Sequence, residues 1–361
     1  MAPFGRGQKQ TVARRLLPLA AALAERGHTV AVLIPAWDCP DEAGRVESWR
    51  GVEVIAPPLG PAPHPLADPL LLRRLLAAVS AFRPDVVHVS KGLGYAGLAG
   101  AVWLRRAGAR VFLDQDDLES GAGWVGGRSW PGRWLVERQE GYLLRRAHGV
   151  SVASRELAER AIRARGSAEG VLYLPNGLDL APAPAPVATN PPVVLVYTRG
   201  NDLDPDRLRK LWAGILAAVP QARLRVVGDW PAAPDLAQSE RWGWLEGEAL
   251  TAALRSSALA LFPVNDDART RAKSPARLLD CLAQGLPAVT EEVGEYAALT
   301  SEAGAPVAAG DDEGLVRVCA QLLLQPEMRR AWGRAAWEGA RGQRWERRAA
   351  VVVGLYAVDG H

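Results

Sequence analysis

"RAKSPARLLDCLAQGLPAV", residues 271–289, sets basic residues ahead of Ser-Pro, then an amphipathic run, a glycine and a short apolar strand. Ser274 offers a hydroxyl as N-cap, and Pro275 suits the first helical position, where its missing N–H costs nothing. Leu278, Leu279 and Leu282 form the buried stripe, Gly285 suits the C-terminal cap, and residues 287–290 resume as a strand. The free N–H groups and positive dipole end of this helix are joined in sequence by Arg269, Arg271 and Lys273. Such a place suits a phosphate. It equally suits a solvated basic loop ahead of an ordinary helix, and the stretch alone leaves both readings open.

Outward from this helix–strand unit, the same alternation fills the chain. Short apolar strands are expected at 29–34, 52–55, 86–89, 111–114, 150–153 and 171–174, with helices near 9–26, 68–82, 95–107, 132–146 and 154–165. "APAPAPVATNPP", residues 181–192, reads as a stiff linker. The alternation then restarts, with strands at 193–197, 224–227 and 259–264, helices near 204–218 and 248–256, and closing helices near 312–324, 326–342 and 345–358. Alternation of this kind predicts parallel sheets covered by helices on both faces. The expected architecture is α/β, two doubly wound domains facing a central cleft, where ligands collect at the carboxyl ends of the strands. Its expected segments are 1–180, the linker 181–192, 193–343, and a tail, 344–361, returning to the first domain. The opening "MAPFGRGQKQ" leads into a helix with no strand before it. Either the start is truncated or another element replaces the central first strand.

Composition limits the function classes. The chain has 361 residues, enough for two full cores. Its 43 basic against 40 acidic residues leave a net charge of +3, too balanced for a nucleic-acid binder, so any basic function is local. Cys39, Cys281 and Cys319 have no paired or metal-type spacing, which fits a reducing cytosol. No segment reaches the roughly 18–20 apolar residues of a spanning helix. A soluble, cytoplasmic protein is expected, with peripheral membrane association left open.

Several stretches carry the chemistry. They are "APFGRGQ" near the start, "RPDVVHVSK" at 83–91, "LDQDD" at 113–117, "LPNGLD" at 174–179, "RLRVVGD" at 223–229, the opening motif, "VGEYAAL" at 293–299 and "RWERRAAVVVGLY" at 344–356. In this order they resemble the GT-B glycosyltransferases, and within them family four, the retaining enzymes that use nucleotide sugars. The resemblance covers nearly the whole chain. It implies two Rossmann-like domains, with the first strand of the N-terminal one missing. It also implies a sugar transferred from a nucleoside diphosphate sugar to a hydroxyl acceptor with retention, without metal or cofactor, as in polysaccharide or glycoconjugate biosynthesis.

The acceptor would be a sugar, a lipid-linked hydroxyl or a small molecule. On the donor side the resemblance implies Arg199 and Gly200 after the strand "VVLVYT", then Arg269, Lys273, Ser274 and Asp280, with Gly7 approaching the phosphate. Asp280 stands where the family has the second glutamate of its paired-glutamate motif, which holds the ribose. The first glutamate is replaced by Ala272. On the acceptor side it implies Gly5, Arg6, Lys91 and Asp117. Catalysis would fall to Asp116, Asp117 and Lys273.

Alternatives remain. Aspartates at 114, 116 and 117 also serve as turn or helix caps, and Asp114 with Asp116 could form a metal-binding DxD of the single-domain GT-A class. His88 at a strand end reads as a core residue. A non-catalytic nucleotide-sugar-binding protein or partner subunit and a GT-B epimerase are the rival functions.

Overall fold

The computed structural model describes residues 1–7, 10–60, 68–106, 109–120, 123, 130–179, 190–200, 203–301 and 306–357. Two units divide the chain: Met1–Gly177 with Ala272–Ser274 and Trp345–His361, and Leu178–Arg271 with Pro275–Arg344. Most of the expected proline-rich linker, residues 181–189, lies outside the described residues.

The first unit holds β1 (Ala31–Leu33), β2 (Val46–Trp49), β3 (Val52–Ile55), β4 (Val86–Ser90), β5 (Arg110–Gln115), β6 (Gly149–Val152) and β7 (Val171–Tyr173). They pair in the orders β1-β3-β2 and β4-β5-β6-β7, parallel throughout except for antiparallel β2. The helix expected over 9–26 forms in two parts, a π-helical stretch Val12–Leu16 that continues as α1 (Leu17–Ala24). Pro18 has no N–H to donate back one turn, and the wider π turn accommodates it.

Helix α2 (Pro69–Phe82) starts where the Asp68 carboxylate accepts from Leu70 N and Leu71 N, with Pro69 in the first turn. Helices α3 (Gly94–Trp103), α4 (Trp130–Arg146) and α5 (Arg155–Arg165) follow, the last capped by Ser154 through Leu157 N and stopped by Gly166.

The second unit is one five-stranded parallel sheet. Its strands β8 (Val193–Tyr197), β9 (Arg223–Val227), β10 (Ser239–Gly243), β11 (Leu259–Phe262) and β12 (Ala288–Thr290) lie in the order β10-β9-β8-β11-β12. Helices α6 (Pro205–Ala218), α7 (Gly247–Arg255), α8 (Ala268–Ala272), α9 (Ala276–Ala283), α10 (Gly294–Thr300), α11 (Asp312–Leu324) and α12 (Pro326–Ala340) cover it. Every residue of β8 is buried, as a central parallel strand requires. Leu208, Leu211, Trp212 and Ile215 of α6 join its core, each contributing about 1.5–3 kcal/mol of burial. The chain ends in α13 (Trp345–Ala357), whose Trp345, Ala349 and Val352 pack with Leu19 and Leu23 of α1 in the first unit. Among the described residues no helix is long and apolar enough to cross a membrane.

One expectation changes form. Met1 and Ala2 stand where a central strand of the first unit would run: Met1 N donates to His88 O at 2.6 Å, Ser90 N to Met1 O at 2.9 Å, and Ala2 N to Leu33 O at 2.9 Å. Two residues thus bridge β4 and β1.

Candidate functional site

The carboxyl ends of the first unit's strands carry the acidic stretch. Lys91, just past β4, has a left-handed backbone with φ 64° and is 5% exposed. Its Nζ lies 2.8 Å from Asp116 Oδ1 and 2.6 Å from Glu119 Oε1. Burial works against the Lys91 ammonium, yet Asp116, Glu119 and Asp117 hold its pKa well above the usual lysine value. Burial pushes the Asp117 carboxyl up to about 6, with Asp116 and Glu119 adding to the rise and Lys91 and Lys273 opposing it. Asp117 therefore feels Lys91, Asp116, Glu119 and Lys273 within the first unit. Glu119 and Glu140 complete the acidic group; Gln115 Nε2 donates to Glu140 Oε1 at 2.8 Å, and burial raises the Glu140 carboxyl. Glu119 lies two residues after Asp117, and that proximity was its only sequence signal.

Asp114 has a different task. Arg15 donates to both its oxygens, Nε to Oδ2 at 2.7 Å and Nη2 to Oδ1 at 2.6 Å, and Ser151 Oγ donates to Oδ1 at 2.6 Å. Burial raises this carboxyl, but the Arg15 guanidinium outweighs it and holds Asp114 at about 2. A bidentate arginine occupies the lone pairs that a DxD metal site would need. His88 is half-buried rather than a core residue: its Nδ1 bonds to the Tyr356 hydroxyl, and desolvation lowers its pKa to about 4.

The N-terminal loop is tied to a neighbouring turn. Gly5 N donates to Asp38 Oδ1 at 2.6 Å, and a Cβ at Gly5 or Gly7 would run into Cys39 Sγ or Asp38. Arg6 forms ion pairs with Glu42 at 3.0 Å and with Glu47. Its guanidinium is thereby countered inside the unit.

Ser274 departs from its expected role. The N-cap of α9 is Pro275, and no side chain caps that helix. The Ser274 hydroxyl instead accepts from Asn176 N at 2.9 Å, while Asn176 Nδ2 donates to Ser274 O at 2.8 Å. Pro275 has ψ 87° and lies outside the helix, so the first turn begins one residue later than the Ser-Pro signal indicated. The basic residues upstream are not a loop throughout, since 268–272 form α8. There Arg271 is paired with Asp266, Nε to Oδ1 at 2.6 Å, and Arg269 is half-buried.

In the second unit the strand order reverses at β8, with β9 and β10 on one side and β11 and β12 on the other. Crevices at the carboxyl ends beside such a reversal are where doubly wound sheets hold ligands. Arg199 and Gly200 follow β8 directly. The Arg199 guanidinium lies over the Trp244 ring, 4.5 Å from its centre. Gly200 has φ 75°, and a Cβ there would strike the Trp230 ring, so only glycine fits. Asp280 sits half-buried on α9 beside buried Leu278, Leu279 and Leu282. Ala272 is fully buried. Glu291 of the following stretch serves the fold, accepting from Val264 N and Arg207 Nη2 at 2.7 Å each.

Two family profiles match the chain, a "Glycosyl transferase 4-like domain" over residues 10–177 and a "Glycosyl transferase-like" domain over 208–353. The chain belongs to the family-four-like GT-B glycosyltransferases. Solved glycosyltransferases share the fold of this GT-B chain. A sucrose-phosphate synthase from Thermosynechococcus elongatus is 20% identical with a TM-score of 0.72, covering 96% of this chain and 92% of its own. Anabaena HepE, solved with UDP and glucose, is 14% identical with a TM-score of 0.67, covering 99% and 98%. A glycosyltransferase from Rickettsia africae is 11% identical with a TM-score of 0.67, covering 99% and 96%. No curated protein matches the sequence.

Proposed function

We propose that this glycosyltransferase moves a sugar from a nucleoside diphosphate sugar to a hydroxyl acceptor, with retention of configuration and without metal or other cofactor. Donor binding falls to Arg199, Gly200, Arg269, Lys273, Ser274 and Asp280, with Gly7 at the phosphate. Gly5, Arg6, Lys91 and Asp117 serve the acceptor, a sugar, lipid-linked or small-molecule hydroxyl. The observation that carries the reading is the crevice beside β8, where the strand order of the second unit reverses and Arg199 and Gly200 follow the strand directly. Lys273 stabilises the departing diphosphate as its charge develops, replacing a metal. Asp117, poised near pH 6, accepts a hydrogen bond from the acceptor hydroxyl with Asp116 beside it, and the leaving phosphate oxygen takes the proton. Asp280 accepts from the ribose hydroxyls.

The UDP bound to Anabaena HepE supports uridine diphosphate as the first ligand to try. Calorimetric titration with nucleoside diphosphates in EDTA tests this reading. Binding that survives chelation is expected. Failure of every nucleoside diphosphate to bind overturns the reading, and affinity that collapses in EDTA and returns with manganese overturns its metal independence. Buried Ala272, in place of the family's first glutamate, favours one rival, a nucleotide-sugar-binding partner subunit, which would bind the donor and leave it unchanged.

A further inference from the structure

In the second unit, the carboxyl ends of β8, β9 and β10 are tied edge to edge. Thr198 N donates to Val227 O at 2.9 Å, and Gly228 N donates to Gly243 O at 2.6 Å. Arg199 leaves the end of β8 and Trp244 the end of β10. Across the ends of these strands the Arg199 guanidinium carbon lies over the Trp244 ring, 4.5 Å from its centre, well within the range of attraction between a cation and a π face. Both partners are themselves held. Trp244 Nε1 donates to Glu246 Oε1 at 2.9 Å, and Gly200 N donates to Thr198 Oγ1 at 2.9 Å, which steadies the backbone that carries Arg199.

A second pair of the same kind joins β9 to β10. Arg225 lies 3.9 Å from the centre of the Trp242 ring, but its N–H groups go to Glu240 Oε1 and Ser256 Oγ, at 2.7 Å each. Arg225 is buried within its strand, so that pair serves the sheet. Arg199 stands half-buried past the end of β8, beside the reversal of strand order where a doubly wound sheet takes its ligand.

We propose that Trp244 is a positioning residue for the donor, holding the Arg199 guanidinium in place for the diphosphate. The inference rests on the donor-binding role given to Arg199 above. Attraction through the π face takes up no N–H donor, whereas a phosphate is bound through the N–H fork. A carboxylate in the place of the ring would also hold the arginine, but it would compete with phosphate for the same N–H groups. An arginine without a ring beneath it would lose its rotamer freedom when the diphosphate binds. On the ring, part of that freedom is already gone.

Calorimetric titration of the whole chain with UDP, GDP, ADP and dTDP, and with the nucleoside of the tightest of them, tests this. The variants are Trp244→Leu, Trp244→Phe, Arg199→Ala, and the double variant carrying Trp244→Leu and Arg199→Ala. Trp244→Leu should weaken the diphosphate about three- to tenfold and leave the nucleoside unchanged. Trp244→Phe should recover most of that loss. With Arg199→Ala already present, Trp244→Leu should change diphosphate affinity less than about twofold. Trp244 is 37% exposed, and the melting temperature of Trp244→Leu should stay within about 2 °C of the wild type.

The proposal is overturned by an undiminished diphosphate affinity in Trp244→Leu, by full additivity of the two substitutions, or by a Phe variant no better than the Leu one. An equal loss for the nucleoside would make Trp244 a contact of the base, and a melting temperature lowered by more than about 5 °C would make it a part of the fold; either overturns the proposal. In all these cases a diphosphate weakened by Arg199→Ala leaves the donor-binding reading standing. A diphosphate indifferent to Arg199→Ala, or a wild type that binds none of the diphosphates, overturns both.

Discussion

Asn176 grips Ser274 by two hydrogen bonds, its N to Ser274 Oγ at 2.9 Å and its Nδ2 to Ser274 O at 2.8 Å. The same Asn176 accepts from Arg15 Nη1 at 3.1 Å, and Arg15 is bound to Asp114. A line of polar contacts thus runs from Ser151 through Asp114, Arg15 and Asn176 to the residue beside Lys273. Asn176→Ala should cost about 1–3 kcal/mol, because it removes the side-chain partner of partly buried Ser274 O and Arg15 Nη1 while the backbone bond to Ser274 Oγ stays. Urea unfolding measures the loss, and an unchanged midpoint would mean that the Asn176 side-chain contacts contribute nothing.

Lys273→Ala should weaken a nucleoside diphosphate by about 1.5–3 kcal/mol while leaving the nucleoside almost untouched, since only the former carries the paired charge. Raised salt should shrink the difference if the group is open to solvent. Asp280→Asn should weaken diphosphate and nucleoside alike if, as proposed, its carboxylate accepts from the ribose hydroxyls. Titration calorimetry with UDP and uridine separates the two patterns.

Lys91→Met removes the ammonium shared by Asp116 and Glu119. Breaking a buried ion pair from one side costs about 3–5 kcal/mol, as the remaining charges lose their counterion. The Asp117 carboxyl should also hold its proton to higher pH in this variant, since Lys91 is the largest influence opposing its rise. Carboxyl-resolved NMR titration reads that shift directly. An Asp117 titration unchanged by the substitution would contradict the coupling.

Two carboxyls give pH dependence of opposite sign. Asp114 is held at about 2, below its ordinary 3.8, so its contribution is complete above pH 4 and is lost as pH falls towards 2. That contribution is on the order of 2 kcal/mol. Asp117 is raised from 3.8 to about 6, so its contribution is present below pH 4 and is lost as pH climbs through 6. Unfolding free energies of Asp117→Asn between pH 4 and 7 should therefore fall less steeply than those of the wild type. Identical slopes would contradict the raised carboxyl.

Strands with a continuous or alternating apolar pattern were plain in the sequence. Residues 193–197 and 52–55 became β8 and β3 with the expected bounds, because a continuous or alternating apolar run has one place to go. β2 and β10 were not legible. Both are edge strands with few buried residues, "VESW" and "SERWG", and pairing to one neighbour imposes no hydrophobic pattern. Ser274 misled for a related reason. Ser-Pro is a local signal for a cap, and the competing partner, Asn176, lies 98 residues away. Arg15 gave no signal at all, since a basic residue in an amphipathic helix ordinarily faces water. Only the fold brings it to Asp114.

The central claim is tested most directly by incubating the protein with a nucleoside diphosphate sugar and a panel of hydroxyl acceptors, followed by mass spectrometry and anomeric proton NMR of the product. A glycosylated acceptor with the donor's anomeric configuration, formed together with free nucleoside diphosphate and undiminished by EDTA, is the expected result. An inverted product would contradict retention. A donor recovered unchanged or as its isomer with every acceptor, from protein that binds it, would contradict sugar transfer itself.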